Sequence, residues 1–324
     1  MGLRRAKGLL SWKKQPSIVA LAQSLFGHKG VITQTGKLPC GGSMGAGDEP
    51  LTRVVDMMGN PTEKAPAKLA DVQSAQDKRN IAIDKVGVKA VRYPITLRTP
   101  DGGEQHTVAL INLYVSLPKH KKGTHMSRFL EILNRHHRSI TSTQIIPILH
   151  EMKSKLLADD ALIEMTFPYF IEKQAPVSGA RGLMDYVCSF EGVSNGSDDF
   201  ILGVKAPATS LCPCSKEISA YGAHNQRCEI SARVRFTGDL WIEDLVKIME
   251  SAASAPVYAV LKRPDEKFVT EQAFDNPKFV EDIIRDLALA MEENPQITWY
   301  SIQSENYESI HNHNAFAQIE RDKR

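Results

Sequence analysis

The sequence predicts an α+β protein made of two tandem units, each in strand–strand–helix–helix–strand–strand order. Three observations predict it. Runs with apolar residues at alternate positions come in pairs, as half-buried strands require. Between the pairs, apolar residues recur every three or four positions, as amphipathic helices require. The same order of elements returns in the C-terminal half, without a residue-level repeat. Antiparallel strand pairs with helices gathered on one face would bury the apolar surface of both.

The elements follow in chain order. "KAVRYPITLR" alternates and reads as a strand, and Gly102–Gly103 marks a turn. "HTVALINLYVSL" is a longer strand. "SRFLEILNRHHR" puts Phe129, Leu130 and Leu133 on one helical face, with Thr124 or Ser127 as its cap. "STQIIPILHEMKSKLLA" repeats the helical period, and Pro147 should bend or shorten it. "ALIEMTFPYFIEKQ" and "RGLMDYVCSFEGV" read as strands. In the second half, "DFILGVKAPATSL" and "RCEISARVRF" are strands. "WIEDLVKIMESAA" and "PKFVEDIIRDLALAMEE" are helices, and "ITWYSIQSE" and "AFAQIERD" are strands. The units span about residues 85–175 and 176–322, within a body of 69–324.

Residues 1–68 differ from this body. No Asp or Glu precedes Asp48, while Arg4, Arg5, Lys7, Lys13 and Lys14 cluster at the start. The segment reads as a disordered tail, as a targeting segment, or as upstream translation with Met57 or Met58 as the native start. Globular patterning begins only near Asp71.

The whole chain has 324 residues, 42% hydrophobic and 24% charged, with a net charge of +2. That balance argues against a nucleic-acid partner. No window reaches the roughly 18 apolar residues of a membrane helix. Five cysteines, an odd number in a long chain, favour reduced thiols and a cytoplasmic location.

Chemistry concentrates in "LCPCSKEISAYGAHNQR", residues 211–227. Proline between Cys212 and Cys214 stiffens the loop and holds Cys212 out of helical geometry. The spacing is not C-x-x-C, and no second cysteine pair completes a four-cysteine zinc site. Cys212 and His224, twelve residues apart, offer one thiolate and one imidazole. Oxygen donors follow at Glu266, Glu271 and Glu281. Asn276–Pro277 reads as a helix start, which places Glu281 in the second turn. Glu308 and His311 have the three-residue spacing of carboxylate-rich metal sites, whereas His311 and His313 share a face only on a strand. Such mixed S, N and O donors suit a borderline divalent ion. Against this, an isolated Cys–His pair or Glu-x-x-His is more often incidental, and His136 and His137 read as a solvated helix face.

The segments "LADVQSAQDKRNIAIDKVGVK", "YPITL", "KGTHMSRF", "LCPCSKEISAYGAHNQR", "RPDEKFVTEQAFDNPKFVED" and "SENYESIHNHNA" occur in this order across about residues 69–320. On them the chain resembles the type IB GTP cyclohydrolase I family of folate synthesis. The resemblance implies a tunnelling fold (T-fold), a cytoplasmic homotetramer, and active sites at subunit interfaces. It implies one divalent metal per site, manganese, zinc or iron, held by ligands drawn from Cys212, His224, Glu266, Glu308 and His311. Cys212, His224 and Cys214 would be the catalytic residues, with Cys214 in proton transfer. Glu281 would anchor the guanine edge of GTP. Lys122, His125 and Arg128 would meet the triphosphate, unless they form only a solvated basic turn. The alternatives are an archaeal-type relative yielding the cyclic phosphate, and a non-catalytic, metal-stabilised oligomer that binds purines. A nitrile reductase of the same fold class is set aside, because its "ESKSLK" segment is missing.

Overall fold

Alternation along the strands organises the molecule. The computed structural model describes residues 71–323 apart from 74 and 139, so the expectations for residues 1–68, Cys40 included, lie outside the described residues. The strands are β1 (Ile83–Arg98), β2 (Glu104–Leu117), β3 (Ala161–Gln174), β4 (Arg181–Ser194), β5 (Asp198–Leu211), β6 (Asn225–Phe236), β7 (Ala255–Pro256), β8 (Ile297–Asn306) and β9 (Ala315–Asp322). The helices are α1 (Met126–His136), α2 (Ser142–Leu156), α3 (Pro213–Ile218), α4 (Ile242–Ser251), α5 (Arg263–Asp275) and α6 (Val280–Glu293).

All nine strands join one antiparallel sheet in the order β1-β2-β3-β4-β5-β6-β8-β9, with the short β7 pairing β5. This corrects the expectation of a T-fold chain with two strand–strand–helix–helix units. β3 and β4 pair along their whole length, from Ala161↔Ser194 to Gln174↔Arg181. The expected boundary at 175/176 therefore falls in the tip of a hairpin. β4 then pairs β5 from Val187↔Lys205 to Ser194↔Asp198, so no break separates the halves. The second half also differs in content, with α3 between β5 and β6 and three helices between β6 and β8.

One face of the sheet is a continuous apolar row. Ile111, Met165, Phe190, Leu202, Val234 and Tyr300 succeed one another across neighbouring strands, each almost wholly buried. Helices α2, α4 and α6 add Ile145, Leu149, Leu245, Met249, Ile283 and Leu287 to the same core. Each such side chain contributes about 1.5–3 kcal/mol by leaving water. Gly192 lets α2 come close: a Cβ there would stand 2.4 Å from Ile145 Cγ2. The other face is polar. Lys205 pairs with Glu229 at 2.6 Å, Arg233 with Glu191 at 2.7 Å and Arg235 with Asp199 at 2.6 Å.

Several local expectations change. α1 buries Phe129, Ile132 and Leu133, while Leu130 is exposed. Its N-cap is His125, with no side-chain cap from Thr124 or Ser127. α2 runs fifteen residues through Pro147 and is not shortened by it. Asn276 closes α5 rather than opening α6. α6 begins at Val280 with Asp282 capping the Phe279 N–H at 3.0 Å, so Glu281 sits in the first turn. α5 itself occupies a stretch to which the sequence pattern assigned no element. Its Pro264 stands in the first turn, where a missing N–H costs nothing.

Candidate functional site

The apolar row changes character at one end of the sheet. In β5, the buried row Leu202, Val204, Ala206, Ala208 continues as Ser210. In β6, Val234, Ala232, Ile230 and Cys228 continue as Gln226. In β8, Tyr300 and Ile302 continue as Ser304 and Asn306. Buried polar groups must be paired, and these pair with one another. Asn306 Nδ2 donates to Ser210 Oγ at 3.0 Å, Ser304 Oγ to Asn306 Oδ1 at 3.2 Å, and Ser210 Oγ to the Lys278 carbonyl at 3.0 Å. Gln226 Nε2 lies 3.5 Å from Ser210 Oγ.

Two residues further along each row stand Cys212, His224 and Glu308. All three are candidate donors, and all follow from the same two-residue period. The Cys212 N–H donates to the His224 carbonyl at 3.1 Å, closing the loop that α3 fills. Cys212 is the N-cap of α3, with extended backbone, and Pro213 opens the helix. Ser215 Oγ donates to the Cys212 carbonyl and accepts from the His224 N–H, bracing the loop across its base. Gly222, at φ +117°, makes the return turn. Cys212 and His224 are half-buried, and Cys214 is exposed on α3. Gln226 Nε2 donates to Glu308 Oε1 at 3.4 Å, while His224 Nδ1 meets Gln226 Oε1 at 3.0 Å and Ser309 Oγ at 3.2 Å.

Glu266 and Glu281 reach the same end of the sheet on helices. The Lys278 N–H donates to the Leu211 carbonyl at 3.0 Å, which lays the α5–α6 connection against the end of β5. Asn276 Nδ2 holds the Ala253 and Ser254 carbonyls at 3.0 and 3.2 Å. Asp265, fully buried, locks the start of α5 to the β3–β4 turn. It accepts from the Val177, Ser178 and Lys262 N–H groups at 2.8 Å each, and from Ser178 Oγ at 2.6 Å. Burial pushes its pKa up, but these hydrogen bonds outweigh that and hold it well below the carboxylate range. Glu266 and Glu281 are exposed. His311 lies in the β8–β9 loop, on neither helix nor strand, stacked on His313 with ring centroids 5.1 Å apart.

Lys122, His125 and Arg128 lie elsewhere. They follow the end of β2, which aligns through β3 and β4 with the start of β5. The Cys212 loop follows the end of β5, fourteen residues away. At ~3.3 Å per residue that separation is roughly 40 Å. His125 Nε2 is 3.2 Å from Asp71 Oδ2, Arg128 donates to the Lys155 carbonyl at 3.0 Å, and Lys122 is exposed.

Among the described residues, no three His, Cys, Asp or Glu side chains converge as a metal-ligand set. Cys212 and His224 are joined through their backbones, and His224 and Glu308 through the Gln226 amide, while no hydrogen bond ties Glu266 or His311 to them among the described residues. The sequence reading missed Gln226, Ser210 and Asn306. The available signal was phase: each is a polar residue on an otherwise apolar row.

Fold and site together define an α+β protein that carries sulfur, nitrogen and oxygen donors, Cys212, His224 and Glu308, at one end of a single antiparallel sheet. Among the described residues, no helix is long and apolar enough to cross a membrane. The profile of the family described as "Type I GTP cyclohydrolase folE2" matches residues 69–317. GTP cyclohydrolase FolE2 of Geobacter sulfurreducens is 57% identical over 256 residues, covering 79% of this chain and 99% of that protein. FolE2 of Geotalea uraniireducens is 57% identical over 259 residues, covering 79% and 94%. The chain belongs to the type I GTP cyclohydrolase FolE2 family, a family of enzymes acting on GTP. That description replaces the type IB label. Among solved structures, a uricase from Bacillus fastidious aligns with a TM-score of 0.46 and 9% identity over 76% of this chain and 94% of that one. That likeness is too loose to carry an argument.

Proposed function

We propose that the chain converts GTP and water to 7,8-dihydroneopterin 3'-triphosphate and formate, the first step of tetrahydrofolate biosynthesis. The observation that carries this reading is the identity to FolE2 relatives across nearly their whole length. The matched span includes the Cys212–His224 loop.

In this reading Cys212 and His224 are two ligands of a divalent metal, manganese, zinc or iron, and Glu266, Glu308 and His311 are the candidates for the rest. Such an ion, when bound, supplies hydroxide at neutral pH for hydration of guanine carbon 8. Cys214, two residues away on α3, is assigned to proton transfer. Glu281 accepts hydrogen bonds from the guanine N1–H and 2-amino group, a pairing that adenine cannot make. The exposed carboxylate in the first turn of α6 supports this role.

Lys122, His125 and Arg128 are assigned to the triphosphate. Their place at the far end of the strands supports a site shared between chains of the proposed homotetramer, one supplying the Cys212 loop and another the basic segment.

The test is to strip the chain of metal and incubate it with GTP, with and without Mn²⁺, Zn²⁺ or Fe²⁺. Formate and the fluorescence of oxidised neopterin are then measured. Metal-dependent formate with a linear triphosphate product is expected. A cyclic phosphate would move the chain to the archaeal-type reaction, and no formate from folded protein with any of the three metals would refute the proposal. For the shared site, Cys212→Ala and Arg128→Ala chains are mixed and reassembled. Each alone should be inactive, and the mixture should regain part of the activity. No recovery from mixed oligomers would refute a site shared between chains.

A further inference from the structure

We propose that Gln226 is a positioning residue: it fixes His224 in the Nδ1–H tautomer, leaving Nε2 as the lone-pair nitrogen, and ties the imidazole to Glu308. The inference builds on the reading of His224 as a site residue, and it follows from who can donate to whom. A carboxylate, as at Glu308, only accepts hydrogen bonds. The Gln226 amide therefore turns its NH₂ toward Glu308 Oε1, 3.4 Å away, and toward Ser210 Oγ. Its carbonyl oxygen then faces His224 Nδ1 at 3.0 Å. An amide oxygen cannot donate, so Nδ1 must carry the ring proton. Ser309 Oγ, 3.2 Å from the same nitrogen, can accept as well as donate and so does not oppose this.

The amide itself has little freedom. Gln226 is 7% exposed, and Ser210, its neighbour across the β5–β6 pair, is anchored to Asn306 and to the Lys278 carbonyl. A flipped amide would set its oxygen against the Glu308 carboxylate, acceptor against acceptor. The buried network of β5, β6 and β8 thus decides which imidazole nitrogen is offered to a ligand or a proton. Partners of this kind orient a ring and raise its basicity, and losing one typically costs 10–100-fold in metal affinity.

The experiment uses full-length chain labelled with ¹⁵N-histidine and kept metal-free, at a pH well above the ordinary imidazole range. Long-range ¹H–¹⁵N correlation reads the tautomer of each histidine, and a His224→Gln chain assigns the signal. Wild type should show Nδ1–H at His224. Gln226→Leu removes the acceptor and should give a mixed or Nε2–H ring, with Zn²⁺ affinity, measured by chelator competition, 10–100-fold weaker. Gln226→Glu still accepts from Nδ1–H and should keep the wild-type tautomer, although it can no longer donate to Glu308. Ser309→Ala should leave the tautomer unchanged. A merely structural role for Gln226 would lower the unfolding temperature without this pattern. Wild-type Nε2–H, an unchanged ring in Gln226→Leu, or a change in Ser309→Ala would each overturn the proposal. Full turnover in His224→Ala would sink the functional reading instead and leave the tautomer result standing.

Discussion

Replacing Lys173 by methionine tests how the sheet holds the helices around the site. Lys173 Nζ, on β3, donates to both Glu250 oxygens on α4, at 2.9 and 2.8 Å, and to the Val257 carbonyl at 2.8 Å. The two side chains are only 14% and 12% exposed. Methionine keeps the apolar stem and removes the charge, which strands Glu250. Breaking a buried pair from one side costs about 3–5 kcal/mol. Tyr186 OH still donates to Glu250 Oε1 at 2.7 Å, so the loss should fall near the lower end, about 3 kcal/mol. In a domain of this size each kcal/mol moves the melting temperature by ~2–4 °C, giving a fall of roughly 6–12 °C. Adding Glu250→Gln removes the stranded charge while keeping an acceptor for Tyr186. The double variant should therefore be more stable than Lys173→Met alone. Thermal unfolding followed by circular dichroism, with urea midpoints, measures both. A Lys173→Met chain melting within ~2 °C of wild type, or a double variant weaker than the single, would refute the reasoning.

Four other outcomes are expected. Cys212→Ala should lose bound metal, read by elemental analysis, and at least ~100-fold of metal-dependent turnover; full activity and metal content would show the site assignment to be wrong. Glu281→Ala should raise the KM for GTP by ~100-fold with metal content unchanged, because hydrogen bonds to a charged partner contribute about 1.5–3 kcal/mol each. Gly192→Ala should cost about 1–3 kcal/mol in urea unfolding, since its Cβ would press on Ile145 and Ile163. Burial, and then the hydrogen bond to Glu292, push the Tyr300 phenol up to about 12. A raised phenol favours the neutral form in the fold, so its stabilisation is complete below about pH 10 and is lost as pH climbs toward the folded value. Tyr300→Phe should flatten that alkaline loss, read as urea midpoints at about pH 9 and pH 11.

What was legible in the sequence was local. Alternation marks β5 and β6, since Leu202 to Ala208 and Cys228 to Val234 put a buried apolar residue at every second position. It says which face is buried but not which strand lies alongside, so a single sheet and two separate units look alike. The turn between Ser194 and Asp198 is a tight hairpin and argues for continuity there, but its pairing partner is visible only in the register. Helix starts were misread where two signals competed. Asn276–Pro277 and Pro264–Asp265–Glu266 both resemble a first turn, and only the second is one, because Asp265 caps its own helix through the Lys262 N–H. At the site, Cys212 and His224 stood out by residue type. Gln226, Ser210 and Asn306 did not, because a polar residue in a strand looks solvent-facing until its phase is set against its neighbours.

The register also constrains how any shared site is built. Strand lengths, not loop positions, separate the basic segment from the Cys212 loop, and strands paired on both sides cannot fold back to bring their ends together. The Cys212 end already gathers the β3–β4 turn, α3, the start of α5 and the start of α6, through Asp265 and Lys278. At the opposite end His125 is held by Asp71, Arg128 by the Lys155 carbonyl, and the Lys122 backbone by the Ala75 carbonyl. One ligand can meet both groups only if the far end of one sheet lies beside the near end of another. For a ligand that carries a hydrogen-bonding base and a polyanion, that arrangement divides recognition between two chains. The base is then met at the Cys212 end of one chain, where Glu281 is exposed, and the phosphates by Lys122, His125 and Arg128 of the other.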